Sequence, residues 1–194
     1  MKGFIPIMFF SMLFSMCQSE TKESIPVNKS FVTIRTTEGD FDLQLFADQA
    51  PITVKNFLRY VDEEHYNKTI FHRVISGFMI QGGGMTSNMK EKPTHSPIKN
   101  EASNKISNKR GTIAMARTSE VNSATSQFFI NLVDNDFLDY RNSTQNGYGY
   151  CVFGQVTNGM DVIDKIQNIE TEKRYGHQNV PIEPIEIIEI VYLK

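Results

Sequence analysis

Apolar and polar side chains alternate along the first regular part of the chain. Residues 31–35 and 41–45 place apolar side chains at every second position, and the polar sequence TEGD at 37–40 separates the two runs. A period of two is typical of a strand with one buried face, and TEGD has the composition of a tight turn. The pattern therefore predicts a β-hairpin.

The next segment changes to a helical period. Four apolar residues recur at the spacing i, i+3, i+4 and i+7, namely Val54, Phe57, Leu58 and Val61, which places them on one face of a helix. Pro51 suits the first turn of this helix, and Asp48 is predicted to cap its N-terminus. A second helix is predicted over about residues 160–169, where apolar side chains again recur at helical spacing.

Most of the remaining segments are predicted to be strands. They are residues 71–75 and 79–81, which a Ser-Gly turn joins, and residues 112–116, 127–132, 151–156 and 185–193; a long loop is predicted over 85–109. Strand–helix–strand repeats, which build parallel sheets, are few. The pattern therefore predicts a mainly β domain, an antiparallel barrel or sandwich closed by two helices.

The N-terminal residues have the composition of an export signal. Lys2 precedes an uncharged apolar run over residues 4–16, which is shorter than the ~20 residues of a membrane-spanning helix. We expect residues 1–17 to direct export to the periplasm, 18–29 to form a flexible tether and 30–194 to fold as one domain. Cys17 ends the apolar run as in a bacterial lipoprotein signal, where that cysteine is acylated. Cleavage nearby without acylation is the alternative.

Charge and cysteine content narrow the expected partners. The formal net charge is −2, without a basic cluster, so nucleic acid is not expected as a partner. Cys151 lies between apolar neighbours and is predicted to be a buried, unreactive thiol. With Cys17 as the other cysteine, no disulfide framework is expected. We expect a monomer that contacts a membrane only through a lipid on Cys17.

The strand at residues 71–75 carries the most informative side chain. Arg73 lies between Phe71 and Ile75, and strict alternation would place these three residues on one face. Such an arginine either extends its charge into solvent at a barrel rim or points at a ligand. His72 would face the other side, where a hydrogen-bonded core histidine is a simpler interpretation than a catalytic base.

Hydrolysis, metal binding and phosphate binding are poorly supported. No G-x-S-x-G sequence surrounds Ser76, and the four histidines lack the spacing of metal ligands. The residues after the glycines at 82–84 do not have a helical pattern, so these glycines predict a bend at a barrel corner rather than a phosphate site.

The strand at 127–132 places different chemistry on its two faces. Phe128 and Ile130 share the face that is predicted to be core, and Gln127 and Phe129 share the other. Together with Arg73, the second face would form a concave site that is apolar with a few directed polar groups.

Four segments stand out together, FHRVISGFMIQGGG, GTIAMART, ATSQFFINLVDNDFLD and YCVFGQVTNGMDVID, and they follow one another in this order between residues 31 and 193. In this order they resemble the bacterial cyclophilin-type peptidyl-prolyl isomerases. The resemblance implies a closed eight-stranded antiparallel β-barrel capped by two α-helices. It also implies an enzyme that accelerates rotation about X-Pro bonds without a metal or cofactor. Its partners would be proline-containing peptides and unfolded or partly folded proteins.

The resemblance further implies which residues form the site. Arg73 and Gln81 would be catalytic, and the substrate groove would be lined by Phe78, Met79, Ala116, Gln127, Phe129, Phe137, Leu138 and Tyr150. Phe137 stands where many eukaryotic members carry tryptophan, and Tyr150 replaces a groove histidine. The loop at 140–148 is slightly longer than is usual in such relatives.

Two alternative functions remain open at this point. A non-catalytic binding module or holdase chaperone would use the same groove to bind proline-containing segments. A hydrolase around His72 and Ser76 is less well supported, because alternation makes a contact between these two side chains awkward.

Overall fold

Eight strands close into an antiparallel barrel in the computed structural model, which describes residues 30–193. In chain order the elements are β1 (Phe31–Thr36), β2 (Gly39–Leu45), α1 (Pro51–Asp62), β3 (Thr69–Ile75), β4 (Met79–Thr86), β5 (Thr112–Met115), β6 (Phe128–Asn131), β7 (Val152–Asn158), α2 (Met160–Ile166), β8 (Thr171–Arg174), β9 (His177–Pro181) and β10 (Glu186–Tyr192). The order around the barrel is β1-β10-β3-β4-β6-β5-β7-β2, and the pairing of β2 with β1 closes it.

The fold prediction is confirmed, and closure of the sheet decides for a barrel over a sandwich. A closed barrel leaves no strand edge unpaired, which is one way in which β proteins avoid edge-to-edge association. The predicted signal peptide, the tether and Cys17 lie outside the described residues. Within residues 30–193, no helix is long and apolar enough to cross a membrane.

Inward-facing side chains of the strands fill the barrel, and we call them the barrel core. Val32 and Ile34 of β1 are fully buried, as their period of two predicts. Phe57 of α1 packs its ring against those of Tyr66 and Phe128, with centroid distances of 5.2 and 5.9 Å. Both helices therefore contribute apolar side chains to one core, α2 through residues that include Ile163.

Cys151 lies in this core. Its side chain is buried, and burial raises the pKa of the thiol to about 11. A thiol with that pKa is almost entirely protonated at neutral pH, and the thiolate is the reactive form. The prediction of a buried cysteine is confirmed.

A distant part of the chain caps the N-terminus of α1. Asp48, the predicted cap, is exposed, and Ala50 at the cap position makes no side-chain hydrogen bond. Instead, the carboxylate of Glu101 accepts hydrogen bonds from the backbone N–H groups of Ile52 (3.2 Å) and Thr53 (2.8 Å). The prediction for Asp48 is wrong, because a carboxylate 48 residues beyond Thr53 satisfies the free N–H groups first.

Removal of this cap should cost measurable stability. We expect Glu101→Ala to lower the free energy of unfolding by about 1–2 kcal/mol, because helix N–H groups lose a charged acceptor. Asp48→Ala is the matched control and should change stability by less than about 0.5 kcal/mol. Urea unfolding followed by circular dichroism measures both; equal effects of the two substitutions would contradict the cap assignment.

One hairpin of the structure was not predicted. β8 and β9 pair with each other outside the barrel, and β9 lies beside β3. Their sequences are mostly polar and lack apolar alternation, so periodicity did not detect them. The signal that was available is Gly176, because glycine is favoured in tight hairpin turns. In the structure, the φ angles of Tyr175 and Gly176 are 50° and 86°, as such a turn requires.

Two element boundaries also differ from prediction. α2 ends at Ile166 rather than Ile169, and a 3₁₀ helix at Ala102–Asn104 interrupts the predicted loop at 85–109. Helix ends are poorly defined by apolar periodicity, because Ile169 continues the spacing without continuing the helix.

Candidate active site

A β-bulge in β3 decides which way Arg73 faces. Phe71 pairs with Gly82 and Arg73 pairs with Gln81, so two steps along β3 oppose one step along β4. The extra residue reverses the alternation. Phe71 therefore enters the barrel core, while Arg73 and Ile75 lie on the outside. The prediction that Phe71 shares a face with Arg73 and Ile75 is wrong for Phe71.

His72 is the extra residue of the bulge, and it is buried. Burial lowers the pKa of its imidazole to about 4, and the nearby His177 adds to the effect. Its Nδ1 atom has no hydrogen-bond partner among the described residues. His72 does not line the pocket described below, whereas its neighbour Arg73 does.

The low pKa of His72 makes stability depend on pH. Because the folded-state pKa of about 4 lies below the value of 6.5 for an exposed histidine, the unfolded chain takes up the proton first as the pH falls. The contribution of the neutral His72 imidazole to the free energy of unfolding is complete above pH ~6.5 and is lost as the pH falls toward 4. We expect wild type to lose about 2 kcal/mol more than His72→Gln between pH 7 and pH 5. Urea unfolding at several pH values measures this; parallel losses in both proteins would contradict it.

Outside the barrel, a second apolar cluster covers the face of β4, β5, β6 and β7. We call it the outer cluster. Its buried members are Met79, Ala114, Phe129 and Val152. The pattern of alternation explains their placement, because each has immediate neighbours on its strand that face the barrel core, such as Phe128 and Ile130 beside Phe129. The prediction for the two faces of β6 is confirmed.

A cavity of about 110 Å³ opens on this cluster, and we call it the apolar pocket. Its lining consists of Arg73, Phe78, Met79, Gln81, Ala116, Arg117, Phe129, Leu138 and Tyr150. The structure thus brings together eight of the ten residues that the sequence assigned to a site, and Arg117 is an addition. The signal available for Arg117 was its position directly after Ala116 in the segment GTIAMART.

The other two assigned residues, Phe137 and Gln127, lie next to the lining. Phe137 stacks on Phe78 with ring centroids 5.7 Å apart and is 61% exposed. Gln127 accepts a hydrogen bond from Nε2 of Gln81 at 2.9 Å. Both residues therefore contact the lining rather than the cavity itself.

A short polar chain runs along one wall of the apolar pocket. Nη1 of Arg73 donates to Oε1 of Gln81 at 3.4 Å, and the amide of Gln81 donates in turn to Gln127. This sequence of donors fixes the orientation of the Gln81 amide. In the part of the chain that the structure describes, no carboxylate pairs with Arg73. One long hydrogen bond to Gln81 orients the guanidinium, and its other donors remain available for a ligand.

Glycines in β4 make room for this wall. The glycines at 82–84 lie inside β4, which continues beyond them to Thr86. The register against β3 shifts between the pairs Phe71–Gly82 and Thr69–Thr86, so an irregularity of the strand occurs where the bend was predicted. A Cβ atom on Gly84 would come within 2.4 Å of Cγ of Gln127, and one on Gly83, where φ is 83°, within 2.7 Å of the Phe128 ring. The close approach of β4 to β6 at the site therefore requires glycine.

Buried asparagines hold Phe78 in position. Nδ2 of Asn135 donates to the backbone carbonyl of Phe78 at 2.9 Å and to Oδ1 of Asn131 at 2.8 Å. The backbone N–H of Leu132 donates to the same carbonyl at 3.0 Å. Sequence reasoning missed the role of Asn135, because an asparagine in a loop is as typical of a turn as of a buried network.

Asp139 supports the part of the apolar pocket that Leu138 forms. Its Oδ1 accepts hydrogen bonds from the backbone N–H and the side-chain amide of Asn108 at 2.7 and 3.0 Å. Burial raises the pKa of this carboxyl, but hydrogen bonds from Ser107 and Asn108 outweigh it and hold the pKa below its usual value. A charged Asp139 thereby anchors its neighbour Leu138, whose backbone carbonyl accepts from the N–H of Tyr150.

The arrangement suits recognition of a compact apolar ring beside a hydrogen-bond acceptor. Aromatic and aliphatic side chains grip the ring, and a guanidinium, which is always charged, donates at its edge. Among residues 30–193, no group of three or more histidine, cysteine or acidic side chains is placed to hold a metal ion.

Comparisons with known proteins agree with this geometry. The family model described as cyclophilin type peptidyl-prolyl cis-trans isomerase/CLD matches residues 31–191. Peptidyl-prolyl cis-trans isomerase B of Escherichia coli is 58% identical over 160 residues, which cover 82% of this chain and 97% of that protein. A peptidyl-prolyl cis-trans isomerase of Acinetobacter baylyi is 55% identical, covering 83% and 84% of the two chains.

A solved structure extends the likeness to three dimensions. The crystal structure of a cyclophilin type peptidyl-prolyl cis-trans isomerase of Cryptosporidium parvum, in the presence of the dipeptide Ala-Pro, matches with a TM-score of 0.70 at 29% identity. The match covers 84% of this chain and 99% of that one. Family model, relatives and fold agree, and this chain belongs to the cyclophilin-type peptidyl-prolyl cis-trans isomerases.

Proposed function

We propose that the apolar pocket and Arg73 carry out the isomerase reaction of this protein on the X-Pro bonds of exported proteins. Amide resonance opposes rotation about a peptide bond with a barrier of ~18–20 kcal/mol. The cis and trans forms of an X-Pro bond differ by only about 0.5–1 kcal/mol, so the barrier alone limits exchange. A catalyst must therefore bind the twisted amide more tightly than either planar form.

Arg73 is placed to supply this difference. When the amide twists, the proline nitrogen regains its lone pair and becomes a hydrogen-bond acceptor. The guanidinium of Arg73 would donate to it, with Gln81 holding the guanidinium by the bond of 3.4 Å. A donor that is already oriented in the wall of the pocket needs less reorganisation during the reaction than water would, which is the source of its catalytic effect.

The ring of the proline would occupy the apolar pocket. Phe78, Met79, Phe129 and Leu138 form its apolar walls, and they would hold the pyrrolidine while the residue before it rotates. Ala116 and Tyr150 complete the lining. The hydroxyl of Tyr150 makes no hydrogen bond within the described residues, so it is free to bind the peptide.

One observation carries this proposal: Arg73, which has no carboxylate partner among residues 30–193 and is bonded to Gln81, faces a pocket whose lining is mostly apolar. A charge there is costly unless a ligand uses it. The relative of Cryptosporidium parvum studied in the presence of Ala-Pro supports a proline-containing ligand for the same fold.

A binding module that does not catalyse would use the same groove. A protease-free assay that follows relaxation of a proline-containing peptide from cis to trans separates the two functions. We expect the protein at micromolar concentration to accelerate relaxation well above the uncatalysed rate. Saturable binding of the peptide without acceleration would favour the binding module and contradict the proposal.

The site of action is proposed from the N-terminal sequence alone. Residues 1–17 would direct export, with a mature protein that is either soluble in the periplasm or anchored by a lipid on Cys17. Mass spectrometry of the mature N-terminus distinguishes these forms. A mass that includes acyl chains on Cys17 indicates a lipoprotein, a free N-terminus beyond residue 17 indicates a soluble enzyme, and an intact Met1 would contradict export.

A further inference from the structure

A second pocket adjoins the apolar pocket on the side of Tyr150. It has a volume of about 380 Å³ and is open to solvent, and Arg117 and Tyr150 line both pockets. Its other walls come from the loops at residues 118–119 and 145–149 and from Phe137. We call it the polar pocket, because neutral polar residues dominate its lining: Thr118, Ser119, Gln145 and Asn146.

The two loops are fastened to each other. The amide of Gln145 donates to the backbone carbonyl of Ser119 at 3.1 Å and to a carboxylate oxygen of Glu120 at 3.3 Å. The loop that contains Gln145 is itself closed by a hydrogen bond of 2.8 Å from the N–H of Arg141 to the carbonyl of Gly147. This is the loop at 140–148, which gives the polar pocket one of its walls.

Arg117 is held rigidly at the boundary between the pockets. Its Nε donates to the carbonyl of Gly149 at 3.0 Å, and its Nη1 donates to the carbonyls of Thr118 and Ser119 at 2.9 and 3.3 Å. The guanidinium carbon lies 4.7 Å from the centre of the Tyr150 ring, a distance at which a cation is attracted to the ring.

The remaining donor group of Arg117 is unused. Its Nη2 makes no hydrogen bond to any residue between 30 and 193, and no carboxylate of that region pairs with the guanidinium. Glu120 accepts from Gln145 instead. A positioned arginine with a free NH₂ group is suited to a carboxylate, to which it donates charge-assisted hydrogen bonds.

We propose that the polar pocket is a subsite for an acidic residue near the proline of the substrate, and that Arg117 determines this preference. The inference rests on the proposed isomerase site, because the two pockets share Arg117 and Tyr150. One or two extended residues span about 3.5–7 Å. A peptide with its proline in the apolar pocket therefore places a side chain within that reach of Arg117. The side chains of Ser119 and Asn146, which also line the polar pocket, would supply further donors for the same carboxylate, whereas those of Gln145 and Thr118 donate to protein oxygens.

The test compares peptides that differ only in one charge. Aspartate and asparagine have the same shape, so paired peptides carrying one or the other at each position within two residues of the proline isolate the carboxylate. At one of these positions we expect kcat/KM to be about tenfold higher for aspartate, because the hydrogen bonds are charge-assisted but solvent-accessible. Arg117→Gln should reduce that ratio to near one, and Arg117→Lys should retain part of it.

Arg141→Gln is the matched control, because it removes one positive charge from the loop at 140–148 and the Arg141 side chain is not part of the lining of the polar pocket; among residues 30–193, that side chain donates only to the backbone carbonyl of Phe137, at 3.2 Å. The aspartate preference should survive in this variant; its loss there would indicate a general field effect and overturn the assignment to Arg117. A ratio near one at every position in wild type also overturns the inference, whatever the stability of the variants. If wild type turns over the asparagine peptides without preferring aspartate, only the subsite fails, whereas no turnover of any peptide refutes the proposed function.

Discussion

Arg73→Ala is expected to lower kcat/KM about 100-fold to 1000-fold, because it removes the donor that stabilises the twisted amide. The fold should persist, since the side chain lies outside the barrel core and has no carboxylate partner between residues 30 and 193. The rate of cis-to-trans relaxation in a protease-free assay measures the loss, and circular dichroism with urea unfolding verifies the fold.

A control variant that loses one positive charge elsewhere on the barrel tests whether a change in net charge alone lowers activity. Arg35 is exposed on β1 and pairs with Glu189 at 2.6 Å, so Arg35→Ala removes the same charge away from the apolar pocket. We expect its kcat/KM to match that of wild type. Undiminished catalysis by a folded Arg73→Ala protein would refute the proposed mechanism.

Phe128→Ala and Phe129→Ala are expected to have different effects, although the residues are neighbours on β6. Phe128 is fully buried in the barrel core and contacts three aromatic rings, those of Phe57, Tyr66 and Phe71. Its truncation leaves a closed cavity and should cost about 3–5 kcal/mol of unfolding free energy. Phe129→Ala should cost less, about 1–2 kcal/mol, because the apolar pocket is open to water and no closed cavity results.

Activity should follow the reverse order. Phe129→Ala removes one wall of the apolar pocket and should lower kcat/KM about 10-fold to 100-fold, in proportion to the apolar surface that the proline ring no longer buries. Phe128→Ala, assayed at a temperature where it remains folded, should retain most of its activity. Urea unfolding and the relaxation assay on both variants measure the two effects. Equal stability losses, or a greater loss of activity in Phe128→Ala, would contradict the separation of core from site.

Much of the site was predictable because the sequence of β6 distinguishes the residues of its two faces. On β6 the period of two separates Phe128 from Phe129, and the structure places one in the barrel core and the other in the outer cluster. The order of four matching segments then indicated the family. That likeness identified residues such as Met79 and Leu138, for which periodicity alone offered no role.

The direction of Arg73 was predicted for an incorrect reason. Alternation placed it with Phe71, but a bulge at His72 reverses the phase, so that Phe71 turns inward and Arg73 outward. A bulge is set by hydrogen-bond register against the neighbouring strand, in this case by Gly82 and Gln81 of β4. Spacing along one strand contains no information about that register.

By itself, the sequence determined the class of fold, the strands with clear alternation, the family and most of the residues that meet in the apolar pocket. Only the tertiary structure decided the bulge at His72, the capping of α1 by Glu101, the support of Phe78 by Asn135 and the free donor of Arg117. The reason is physical. Apolar periodicity reports the environment of one element, whereas hydrogen bonds between segments tens of residues apart depend on where the closed barrel brings them together.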